Sequence, residues 1–208
     1  MMKIKAIEST RSPQGKLRLR FEDDSTMLVL PSVIAELGLY EGIEIPDAAM
    51  ESVLATAAEA STKERAVRII AATPVTQREL YHRLVQKGES EENAQKAIDW
   101  LLELRLLDDR AVACSVVRSG IAKGYGEARI KQMLFEKRVP KELWQEALEQ
   151  IPPQDDAIDS FLQKRFRGKI PDRAECRRAT DALLRRGHRW SDIKSALGRY
   201  APDEEFED

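Results

Sequence analysis

Several groups of residues have the types and spacing to do chemistry or to bind charge. Asp108-Asp109 is a carboxylate pair. Acid–base or metal chemistry would need converging partners that the sequence does not supply. At the head of an apolar helical stretch the pair reads as an N-cap, with Asp109 favouring the positive helix end. Lys123-Gly124-Tyr125-Gly126 is a glycine-rich link before a helix carrying Arg129 and Lys131. It can offer backbone amides and basic side chains to phosphates or to an acidic partner. It can equally be a tight helix–helix turn with Tyr125 packed at the joint, and the sequence leaves both readings open. No strand precedes these glycines and no Walker pattern exists, so a nucleotide site is not indicated. Arg177, Arg178, Arg185 and Arg186 fall on one helical stretch. At about 100° per residue, Arg178 and Arg185 align opposite Ala179 and Leu183 and face solvent. Arg118 and Arg129 flank the glycine link, and the expectation is that they add to one basic groove. His82 and His188 stand alone and read as surface residues rather than ligands. Cys114 and Cys176 lie 62 residues apart without a CxxC pairing. They read as core thiols, not as a disulfide or a zinc site. Nucleophile–base pairs, metal clusters and phosphate loops are absent from the sequence, so the expectation is a protein with no catalytic residues, no metal and no cofactor.

The elements that must hold these residues are mostly helices. The chain has 208 residues, of which 34% are charged and only 6% aromatic. That balance favours a helical protein over a sandwich or barrel. Neither a secretory signal nor a membrane-length apolar run is present, and the expected setting is the reducing cytoplasm. Lys-Ile-Lys-Ala-Ile, Lys-Leu-Arg-Leu-Arg-Phe and Met27-Leu28-Val29-Leu30, separated by turns, predict a three-stranded meander within a small domain over 1–45. A short helix from Pro31 to Leu37 stops at Gly38. Residues 46–61 read as an Ala- and Glu-rich connecting helix that contributes little core, with a break near Ser61-Thr62. From Thr62 onward only helices are indicated, about nine of them, punctuated by Gly and Pro.

The net charge of −2 hides an uneven distribution. Residues 152–200 hold 12 basic and 7 acidic side chains, whereas 201–208 form an acidic tail with five acids. A basic half can meet phosphates or an acidic protein, although charge alone is equally served by a solvated helix face.

A repeat organises the helical part. Leu84-Val85-Gln86-Lys87-Gly88 is matched by Leu134-Phe135-Glu136-Lys137-Arg138 and by Leu183-Leu184-Arg185-Arg186-Gly187, at offsets of 50 and 49 residues. Nine and ten residues after Gly88, Arg138 and Gly187 come Ala97-Ile98, Ala147-Leu148 and Ala196-Leu197. The unit is three helices in about 50 residues, giving repeats over 62–108, 109–151 and 152–200. The expected fold is mainly α: an elongated, solenoid-like array of tandem three-helix repeats behind the β-meander. Trp100, Trp144 and Trp190 fall in or beside the third-helix stripes and read as core.

These residues resemble the RecX family, the regulatory proteins of the RecA recombinase. The matching set is Leu107-Asp108-Asp109, Arg118, Lys123-Gly124-Tyr125-Gly126, Arg129-Ile130 and Leu134, then Leu183-Leu184-Arg185-Arg186-Gly187 with Trp190, Ile193 and Leu197. The resemblance covers 62–200. It departs at Arg110-Ala111-Val112-Ala113, where an acid and an aromatic are usual, at Arg138 for a usual Gly, and at His188 for a common aromatic. What it implies is a non-enzymatic monomer that binds the RecA filament on single-stranded DNA and modulates RecA, most readily as an inhibitor. It tilts the basic residues Arg118, Lys123, Arg129, Lys131, Arg177, Arg178, Arg185 and Arg186, with Tyr125, towards partner binding. The competing expectation is a sequence-nonspecific DNA binder built from helix-turn-helix-like units, and a weak direct DNA contact is compatible with either.

Overall fold

The structure, a computed structural model, describes residues 1–201. It divides into two compact units, Met1–Leu107 and a second beginning at Asp108. The acidic tail predicted for 201–208 lies, from residue 202 on, outside the described residues.

The first unit opens with strands β1 (Met2–Ser9), β2 (Leu17–Phe21) and β3 (Thr26–Val29), and a two-residue strand β4 (Glu44–Ile45) joins them. The sheet is antiparallel in the order β3-β2-β1-β4. It therefore has four strands, one more than the predicted meander. Met2 pairs with Ile45, and Ile4 N–H donates to the Ile43 carbonyl at 3.0 Å. A strand of two residues is too short to display alternation, so its pairing is visible only in three dimensions. Helix α1 (Pro31–Leu37) ends at Gly38 in the left-handed region, φ 59°.

Helix α2 runs unbroken from Asp47 to Ala72, about 39 Å at the usual rise. This corrects the expected break at Ser61-Thr62. Thr62 is fully buried, and its hydroxyl reaches the Ala58 carbonyl at 3.0 Å and Glu89 Oε2 at 2.6 Å. The first half of α2 also carries more core than expected. Val53 is buried with Ile4, Leu19, Phe21, Val29 and Val33, and Met50, Ala57 and Ala60 pack against that cluster. The small sheet needs such a cover to be stable. The second half of α2 supplies Ala66, Ile69 and Ile70 to another core, shared with α3 (Gln77–Gln86) and α4 (Glu91–Glu103). Thr76 and Ser90 cap those helices, accepting from Glu79 N–H and Asn93 N–H, each at 3.1 Å.

The second unit contains two more helix triplets. The first is α5 (Asp109–Ala122), α6 (Glu127–Glu136) and a 3-10 turn (Lys141–Leu143) leading into α7 (Trp144–Leu148). Val112, Val116, Val117, Ile130, Leu134 and Ala147 form its core. The second is α8 (Asp155–Phe166), α9 (Arg173–Arg185) and α10 (Trp190–Gly198), around Ile158, Leu162, Leu183, Ile193 and Leu197. Asp108 is the N-cap of α5, its side chain accepting from Ala111 N–H at 2.9 Å. Asp172 and Glu175 close a reciprocal capping box on α9. Cys176 is buried, whereas Cys114 is half-buried, with Gln150 Nε2 at 3.0 Å from its sulfur. Among the described residues no helix is long and apolar enough to cross a membrane.

The three middle helices end alike. The residues at 88, 138 and 187 all adopt positive φ, at 88°, 53° and 83°. The next amide in each case bonds back to the core leucine: Glu89 to Leu84, Val139 to Leu134 and His188 to Leu183, at 3.2, 3.0 and 3.2 Å. Arg138 thus performs the same turn that glycine performs at the other two positions, at the conformational cost of a Cβ.

Candidate functional site

Within the second unit, the glycine-rich link after α5 meets the turn after α9. Gly126 N–H donates to the Arg186 carbonyl at 2.8 Å, and Ala128 N–H to the Gly187 carbonyl at 3.2 Å. Helix α6 begins at Gly126, which has no side chain to cap it. The carbonyls of the neighbouring turn do that work instead, satisfying amides that an isolated helix leaves bare. The Arg186 guanidinium reaches back to the Lys123 carbonyl at 3.2 Å and lies 5.0 Å above the Phe161 ring. Arg189 pairs with Glu127 at 2.8 Å.

The approach of the two turns leaves no room for side chains. A Cβ on Gly126 would overlap the Gly187 carbonyl, and one on Gly187 would overlap the backbone nitrogen of Arg129, each well inside 3.0 Å. Gly126 has an ordinary φ of −76°. It is glycine for space, not for conformation.

His188 is buried at this joint, 5% exposed, contrary to its reading as a surface residue. Its Nε2 lies 3.1 Å from the Gly124 carbonyl. A carbonyl only accepts, so Nε2 carries the proton and the neutral ring leaves Nδ1 bare. Nδ1 is buried without a hydrogen-bond partner among the described residues. Burial holds the imidazole below its ordinary pKa, and the Arg186 charge pushes the same way, against the Gly124 carbonyl and Asp192.

The predicted partner-binding residues separate into three groups. Tyr125 packs on the α5–α6–α7 core and Arg186 braces the joint. Lys131 and Arg129 are engaged with acids, Lys131 with Glu127 at 2.5 Å and Arg129 with Glu136 at 3.5 Å. The hydrogen bond from Lys131 is the main reason the Glu127 carboxyl is held below the usual range. Arg118, Lys123, Arg177, Arg178 and Arg185 are exposed, and none forms an ion pair among the described residues. Of the two readings of Lys123-Gly124-Tyr125-Gly126, the turn at a joint describes its geometry. The Gly126 and Ala128 amides that would have cradled a phosphate are already bonded to Arg186 and Gly187. Sequence reasoning missed His188 and the Glu127–Arg189 bridge. The only signal was the glycine at 126, which no turn conformation required.

Three of the cations unpaired among the described residues lie on the outer face of α9. Arg177, Arg178 and Arg185 stand there, on a helix whose opposite face, Cys176, Ala179 and Leu183, is buried. Among the described residues no group of three His, Cys, Asp or Glu side chains is placed to hold a metal ion.

A small sheet followed by helix triplets whose middle helices end in the same left-handed turn defines a helical-repeat protein. Comparison with known proteins gives the family. Residues 108–148 match a family described as "RecX, second three-helix domain". The chain is 35% identical to the regulatory protein RecX of Vibrio campbellii over 140 residues, covering 66% of this chain and 90% of that one. It is 22% identical to the regulatory protein RecX of Clostridium tetani over 203 residues, covering 95% and 94%. A crystal structure of a regulatory protein RecX superposes with a TM-score of 0.67 at 22% identity, covering 94% of this chain and 98% of that one, and so shares the fold. The chain belongs to the RecX family.

Proposed function

We propose that this protein binds the RecA filament on single-stranded DNA and restrains RecA, acting as a cytoplasmic monomer without chemistry of its own. The observation that carries this reading is the outer face of α9. Arg177, Arg178 and Arg185 stand exposed on one rigid helix and are unpaired among the described residues. Arg189, Arg199 and Arg110, by contrast, are each paired with an acid. An array left open suits a partner that brings the negative charge. Membership in a family of regulatory proteins supports the choice of RecA as that partner.

The test is co-sedimentation with RecA assembled on single-stranded DNA, beside the DNA alone, at the same near-physiological salt. Capture by the filament with slower RecA ATP turnover is expected. The double charge reversal Arg178→Glu, Arg185→Glu is expected to weaken capture by at least about tenfold, since each lost charged contact at an interface costs about 1 kcal/mol or more, while thermal unfolding stays within a few degrees of the unaltered protein. Equal capture by bare DNA would make this a DNA-binding protein first, with an affinity falling steeply as salt rises.

A further inference from the structure

Large apolar side chains exposed in the second unit are few among the described residues: Phe135 at 69%, Ile170 at 85% and Leu184 at 45%. Two of them hold the same place in the repeat. Phe135 follows the buried Leu134 on α6, and Leu184 follows the buried Leu183 on α9. One residue along a helix turns the side chain by about 100°, away from the core its neighbour fills. The first repeat has Val85 at this place, and there the side chain is half-buried against its own cluster. The position can thus be covered, and the second unit leaves it open twice with larger groups.

The surroundings of the two differ. On α9, Leu184 lies on one stripe with Arg177, seven residues earlier, and adjoins Arg185, with Arg178 one stripe over. Those three arginines are unpaired among the described residues, and Asp181, within helical reach of Arg177 and Arg185, forms no ion pair with either. On α6, by contrast, Lys131 is bound to Glu127 and Arg129 to Glu136. An apolar group that shares its helix face with unpaired arginines fits an apolar socket with acidic side chains beside it, which is a protein surface. Single-stranded DNA gains its apolar contact by stacking bases on flat aromatic side chains, which Leu184 cannot supply; Phe135 can stack, and is assigned with Leu184 because it holds the same place in its repeat.

We infer that Phe135 and Leu184 are equivalent apolar anchors, one per repeat, that seat on the protein protomers of the filament, the socket for Leu184 having acidic side chains beside it. This rests on the function proposed above and assigns the contact to the protein of the filament rather than to its DNA. A partner built of identical protomers presents its sockets repeatedly, as this chain presents its anchors.

The test uses the full chain and the variants Leu184→Ala, Phe135→Ala and their double, with Leu184→Gln and Phe135→Gln as second choices should an alanine variant fail to fold. Each is checked by thermal unfolding and then titrated against the RecA filament and against bare single-stranded DNA at two salt concentrations. Each single variant is expected to bind the filament about tenfold more weakly, as loss of a central apolar anchor does. The ratio to the unaltered protein should be the same at both salts, and binding to bare DNA should be unchanged. Filament binding undiminished in folded variants overturns the inference, as does an equal loss on bare DNA. Failure of the filament to capture the unaltered protein would remove the proposed function itself, a result distinct from either.

Discussion

The turns that close α3 and α9 have one backbone and two surroundings. In both, a glycine at positive φ ends the helix and the next amide bonds back to a core leucine. Around Gly88 there is open space, with nothing within 4 Å of where a Cβ would stand, whereas Gly187 is pressed against the backbone of Arg129. The following residue also diverges. Glu89 turns inward on its own triplet, held by Thr62 and by Arg65 Nε at 2.5 Å. His188 reaches across to the link of the preceding triplet at Gly124. The same local code thus makes a free-standing turn in one place and a joint in the other. The difference lies in what is packed against the turn.

Core leucines are what the two turns share, and removing one should produce the largest effect. Leu134 and Leu183 are both fully buried at the equivalent place. Leu134→Ala is expected to lower stability by about 2–5 kcal/mol, measured by chemical denaturation, and Leu183→Ala by a similar amount. A cost near zero would break the equivalence of the repeats.

The glycines come next and separate the two turns. Gly88→Ala should cost only the left-handed penalty of about 1–2 kcal/mol. Gly187→Ala should cost that and roughly 1–3 kcal/mol more, as forcing atoms into a packed region usually does. Equal losses in denaturation curves would mean that the joint yields freely to a Cβ.

A smaller effect is expected from pH. The folded-state pKa of His188 is lowered, so the unfolded chain takes up this proton first as the solution is acidified. The stability that neutral His188 contributes is present above its unfolded value, about 6.5, and is lost as pH falls from there through the folded value. The slope from this one group is at most about 1.4 kcal/mol per pH unit. Unfolding curves of the protein and of His188→Phe between about pH 8 and pH 5 should therefore diverge on the acid side. Parallel curves would show that the joint accommodates the imidazolium.

Much of this was legible in the chain. The repeat of Leu84, Leu134 and Leu183 marks three middle helices, and a helix needs only its own periodicity to declare a buried face. Asp108 announces a helix start because capping is a local hydrogen bond. The exposure of Arg177, Arg178 and Arg185 follows from their place opposite Ala179 and Leu183. Family membership was readable too, since the ordered motif set survives even where Arg138 replaces glycine.

Other features were settled only by elements far apart in sequence. Strand β4 exists because Met2 and Lys3 are there to pair with it. Met50, Ala57 and Ala60 of α2 pack against a core because the sheet and α1 supply one. Arg186 looked identical to its neighbours Arg177, Arg178 and Arg185, yet the Lys123 carbonyl and the Phe161 ring draw it into the joint. His188 carries no local sign of burial, and Gly126 no local need for glycine. Periodicity and capping act over a few residues, so the sequence alone determined the helices, their inner faces and the family. Which outward-facing side chains stay free and which become struts depends on what another segment brings against them, and only the tertiary structure decided that.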